Sequence, residues 1–77
     1  MARQHHIAVA PVEGGWSLAC DEAGLEPMMF LSGARAEAHA RALARRLSAA
    51  GGEVQLTVCD RSRAVVGSTH YYPDGLV

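Results

Sequence analysis

Residues 32–50, SGARAEAHARALARRLSAA, decide how the rest of this 77-residue chain must be arranged. Ala, Leu and Arg dominate the stretch, and they rank among the strongest helix formers. Ser32 is placed to cap the start, because its hydroxyl can accept a hydrogen bond from a first-turn N–H. Gly51-Gly52 supplies the positive-φ residue on which helices commonly end. Ala36, Ala40, Leu43, Leu47 and Ala50 recur at the spacing of one buried stripe. Arg41 and Arg45 fall opposite that stripe, with Arg35 and Arg46 along a flank. The stripe is narrow and mostly alanine, so the strands facing it must supply most of the buried apolar area.

Upstream of the helix, residues 7–12 (IAVAPV) and 16–20 (WSLAC) read as two strands around the turn 13–15 (EGG). Pro11 cannot donate to a ladder and belongs near an end or an edge. Trp16, Leu18 and Cys20 share one face, and Trp16 reads as an anchor of a small core. Residues 21–31, DEAGLEPMMFL, begin as a turn and finish as a short extended stretch leading into the helix. Phe30 is expected to fill the core there. Met28 and Met29 are left open between core filling and an exposed contact.

Downstream, residues 53–60 (EVQLTVCD) alternate cleanly, with Val54, Leu56 and Val58 on one face and Gln55, Thr57 and Cys59 on the other. After the turn 60–63, residues 64–71 (AVVGSTHY) form the last strand. Val65, Gly67, Thr69 and Tyr71 share one of its faces, while Val66, Ser68 and His70 share the other. Residues 72–75 (YPDG) are a turn sequence, and residues 1–6 and 75–77 read as frayed tails. The expected structure is α+β with the order ββαββ: one domain over residues 1–77, a four-stranded antiparallel sheet, and the helix packed on one face. The other face would carry Ala8, Ala10, Val12, Ala19 and Val66 among polar residues.

A set of local features adds a resemblance. Val9-Ala10-Pro11 is followed by Gly14-Gly15-Trp16, Phe30, an Arg-Ala-Glu-Ala helix start at residues 35–38, an Asp60-Arg61 turn, and Tyr71 with Asp74. In that order the chain resembles, over about residues 6–74, the small bacterial family known as domain of unknown function 2188. Two departures stand out. The family usually carries a charged residue or Thr just before the helix, where this chain has Ser32-Gly33. It also tends to carry Asp-Gly in the last hairpin, where this chain has Ser62-Arg63. The resemblance supports the ββαββ reading and implies no catalytic residue, because the family is itself uncharacterised.

Composition narrows the function classes. Seven basic and eight acidic residues leave a net charge of −1, which argues against strong non-specific attraction to nucleic acid or anionic membrane. Every basic residue is arginine. No run approaches the roughly 20 apolar residues of a membrane span. The first ten residues hold no apolar segment of signal-peptide length, so a cytoplasmic location and reduced thiols are expected for Cys20 and Cys59. A Cys20–Cys59 bridge stays open if their strands are neighbours. His5 and His6 are adjacent on a strand and so point to opposite faces, which argues against a metal site.

An enzyme would need a nucleophile, a base and an orienting group in one cleft. Cys20, Cys59, His39, His70 and Asp60 are the candidates, and Cys59 and His70 share the face away from the helix. No catalytic, cofactor-binding or metal residue is assigned and no cofactor is expected. A chain this short buries only about 60–65% of its unfolded surface. That marginal core favours a non-catalytic module that self-associates as a homodimer or binds another protein. The alternative is weak nucleic-acid binding through Arg61, Arg63 and the helix arginines. The candidate interaction surface on either reading is Arg41, Arg45, Arg61, Arg63 and Tyr72.

Overall fold

A computed structural model describes residues 4–21 and 25–73. It contains β1 (Gln4–Val12), β2 (Gly15–Cys20), β3 (Met28–Phe30), α1 (Gly33–Ala49), β4 (Glu53–Cys59) and β5 (Val65–Tyr71). The fold is α+β with one helix, as the sequence implies, but the sheet has five strands in the order β3-β2-β1-β4-β5 and is mixed. β1 pairs with β2 antiparallel and with β4 parallel, while β2–β3 and β4–β5 are antiparallel.

This corrects the four-stranded antiparallel expectation, and the cause is one short segment. Met28-Met29-Phe30 does not merely lead into the helix; it pairs with Trp16-Ser17-Leu18 as a strand. Each antiparallel step reverses the chain, so one extra strand inverts the direction in which the helix and β4 run. β4 therefore lies beside β1 pointing the same way, and α1 becomes the crossover that a parallel pair requires.

The helix forms where its composition places it. Ser32 Oγ accepts from Arg35 N–H at 3.1 Å. At the other end Gly51 adopts φ 98° and closes the helix. Gly52 N–H donates to Leu47 C=O at 2.8 Å and Gly51 N–H to Ser48 C=O at 3.0 Å, the pair of bonds of a Schellman ending. Ala36, Ala40, Leu43 and Ala44 are buried. Ala44 belongs to the stripe although the i, i+4, i+7 spacing passes it over. Ala50 does not, because it is the exposed C-cap residue, and Leu47 is half-buried.

The core lies between α1 and the central strands: Ile7, Val9, Leu18, Val54 and Leu56 pack with the helix alanines and Leu43. Each fully buried aliphatic side chain contributes about 1.5–3 kcal/mol. Trp16, Cys20, Phe30, Val58 and Tyr71 close the periphery. Gly33 matters here, since a Cβ on it would sit 3.0 Å from the Trp16 ring. The indole thus lies directly against the helix start. His5 and His6 are part of β1, not of a frayed tail. Residues 1–3, 22–24 and 74–77, with the expected fraying of the two tails and part of two turns, lie outside the described residues.

The opposite face is small in its middle and polar on one side. Ala8 stands against Ala19 and Ala10 against Ser17. Toward β5 the side chains pair: His6 Nε2 with Thr57 Oγ1 at 3.0 Å, Gln55 Nε2 donating to Ser68 Oγ at 2.7 Å, and His70 Nε2 with Glu53 Oε1 at 2.6 Å. A β-bulge at Val58/Cys59 brings Val65 opposite Cys59. Val65 therefore leaves the Gly67–Thr69–Tyr71 row in which strict alternation would put it, because two residues of β5 now stand against one of β4.

Candidate functional site

The residues singled out from the sequence do not converge. Arg41 and Arg45 are exposed on the outer arc of α1. Arg61 and Arg63 sit in the β4–β5 turn, beside Pro11 and Val12 at the end of β1 and Glu13 in the β1–β2 turn. Tyr72 follows the far end of β5, where its ring stacks on His70 with centroids 4.6 Å apart. A seven-residue strand separates it from Arg63, about 23 Å of rise.

The β4–β5 turn is organised by Asp60. Its Oδ1 accepts from Ser62 Oγ at 2.6 Å, Ser62 N–H at 2.8 Å and Ala64 N–H at 3.1 Å. These bonds, the Ser62 hydroxyl first, hold the carboxyl below its ordinary value, against a smaller opposing contribution from desolvation. Asp60 is thus committed to the turn. Arg63 adopts φ 67°, the left-handed conformation that glycine takes at no steric cost.

The thiols and imidazoles also separate. Cys20 pairs in register with the buried Ile7, on the helix side, whereas Cys59 follows Val58 onto the open side. Opposite faces of a sheet exclude a bridge between them. Cys59 and His70 share a face but not a place: Cys59 stands opposite Val65 and His70 opposite Gln55. From Val65 to His70 the strand advances about 16 Å. His5 is buried with Nδ1 4.0 Å from Asp21 Oδ1, beneath Gly52, while His6 points to Thr57. Among the described residues no group of three His, Cys, Asp or Glu side chains is placed to hold a metal ion. No described helix is long and apolar enough to cross a membrane.

Two features remain that periodicity does not reveal. The first is the outer edge of β5. This terminal strand carries no Lys, Arg, Asp or Glu and no proline from Val65 to Tyr71, and Val65 and Val66 are 60% and 62% exposed. The other edge, β3, is only three residues long and is preceded by Pro27, two of the devices that blunt an edge.

The second is a groove of about 510 Å3 between α1 and the β2–β3 hairpin. It exists because β3 pairs with β2 only as far as Leu18, so that among the described residues no strand lies on the outer side of Ala19 and Cys20, which pair with β1 alone. Leu18, Met28 and Leu43 line it, with Leu25 and Glu26 on the loop side and His39 and Arg46 on the helix side. His39 is held by a tilted contact with Phe30, the ring centroids 4.8 Å apart. Cys20 and His39 therefore border the same groove, a pairing the sequence does not suggest.

The chain matches no family model, no curated protein and no solved structure, so its function has to be argued from its own geometry.

Proposed function

We propose that the chain is a non-catalytic interaction module that joins a second copy of itself along β5. The observation that carries this reading is the exposed, proline-free edge of a seven-residue strand with no Lys, Arg, Asp or Glu. Such an edge presents a row of unpaired N–H and C=O groups, and natural proteins usually protect it with a charge, a proline or extreme shortness. β3 has that protection and β5 does not. The polar pairs on the open face favour the edge over the face as the joining surface, because stacking the face would strip water from His6, Gln55, Glu53 and His70.

A two-fold axis normal to the sheet would set β5 antiparallel to its copy, the isologous arrangement typical of homodimers. Both helices would then lie on one side of a continuous sheet. A symmetric pairing over the whole of Val65–Tyr71 centres on Ser68, the middle residue of the strand. Replacing Ser68 by Lys would oppose two like charges at that centre. Sedimentation velocity tests this: the wild type is expected at twice its 8.1 kDa mass and Ser68→Lys as a folded monomer. A wild type that stays monomeric at millimolar concentration would refute the reading, as would a Ser68→Lys chain that remains dimeric.

A further inference from the structure

We propose that the groove between α1 and the β2–β3 hairpin binds a medium-chain monocarboxylate, its alkyl chain against Leu18, Leu25, Met28 and Leu43 and its carboxylate on Arg46. Three observations lead there. The cavity, about 510 Å3, falls in the range of small-molecule sites. A volume of that size has room for one slim apolar chain. Its walls are chiefly apolar, and Leu25 and Met28 remain 44% and 41% exposed beside it.

A cationic side chain on the helix side of the groove points to the head group. Arg46 is the arginine that lines the groove, and no ion pair engages it among the described residues. A guanidinium presents a planar fork that fits a carboxylate. Glu26 is the opposing acid on the loop side. It should weaken an anionic ligand, which gives the proposal a second sign to test.

Calorimetric titration with hexanoate, octanoate and decanoate, all below their micelle concentrations, tests the assignment. Each added methylene should tighten binding about threefold to fourfold if the chain is buried. Arg46→Gln should weaken decanoate about tenfold, the lower range for a charged hydrogen bond, and Glu26→Gln should tighten it. Nonyltrimethylammonium, with the same nine-carbon chain and a cationic head, should bind at least tenfold more weakly than decanoate. Ala42→Phe, which fills the groove from an exposed helix position, should abolish binding with the fold intact by circular dichroism. Affinity that ignores chain length, an unchanged Arg46→Gln, or equal binding of the cationic amphiphile would each overturn the proposal. So would association with phosphatidylglycerol vesicles in the absence of saturable decanoate binding. Ser68→Lys should bind decanoate as the wild type does, so failure of the edge pairing and failure of the groove are told apart.

Discussion

Three leucines meet the core to different depths, and truncating each should grade the stability of the domain. Leu18 is 1% exposed and fixed in the middle of β2; Leu43 is 9% exposed and shares its side chain between core and groove; Leu47 is half-buried near the helix end. Sequence periodicity treats Leu43 and Leu47 as equals. Cutting a fully enclosed leucine to alanine costs the lost transfer energy plus a cavity, about 3–5 kcal/mol for Leu18. At Leu43 the groove already admits water to one side, so less new cavity is made and the cost falls to about 2–3 kcal/mol. Leu47→Ala removes only partly buried methyls and should cost about 1 kcal/mol. A domain of this size has only about 4–12 kcal/mol in total, so Leu18→Ala removes about a quarter of it at the least. Urea titrations followed by circular dichroism and by the fluorescence of Trp16 would measure the series. In heat, Leu43→Ala should lower Tm by roughly 8–24 °C and Leu47→Ala by about 4–8 °C. Equal costs for Leu43 and Leu47, or a larger one for Leu47, would refute the packing described for α1.

Two further outcomes follow from the β4–β5 turn. Arg63→Gly should raise stability by up to about 1 kcal/mol, because glycine removes the steric cost of a positive φ that outweighs its own greater freedom in the unfolded chain; a loss of stability in urea would contradict that conformation. Asp60 has a lowered pKa in the fold, so its contribution is present above the ordinary carboxylate range and disappears as pH falls through the folded value. Asp60→Asn should therefore flatten the acid side of the stability profile below about pH 4 and lower stability at neutral pH; superimposable profiles would count against the turn.

Much of the fold is legible in the sequence because the signals are local. Ser32 caps, Gly51-Gly52 ends the helix, and strict alternation marks Val54, Leu56 and Val58 as inward. What escapes is set by distant partners. Three residues, Met28 to Phe30, are too few to show a period, yet their pairing with β2 reverses every later element and makes β1–β4 parallel. Nothing along residues 64–71 announces that a bulge opposite Cys59 will move Val65 out of its row. Ala44 is missed because an alanine on a helix of alanines carries no signal of its own.

The candidate sites follow the same division. The arginines can be named from the sequence, but their separation between α1 and the β4–β5 turn appears only with the fold. Arg46 reads as one flank residue among others until β3 stops at Leu18 and leaves the helix with a groove beside it. Likewise, the lack of Lys, Arg, Asp and Glu in residues 65–71 can be seen in the sequence, whereas the position of that strand at an edge depends on the parallel β1–β4 pairing.

Hydrogen exchange read residue by residue across β5, at protein concentrations on either side of self-association, tests most directly whether that edge is a joining surface. Alternate amides of Val65–Tyr71, those pointing away from β4, should become protected as concentration rises, with little change in β1, β2 or α1. Outward amides that exchange at the same fast rate at every concentration would contradict it.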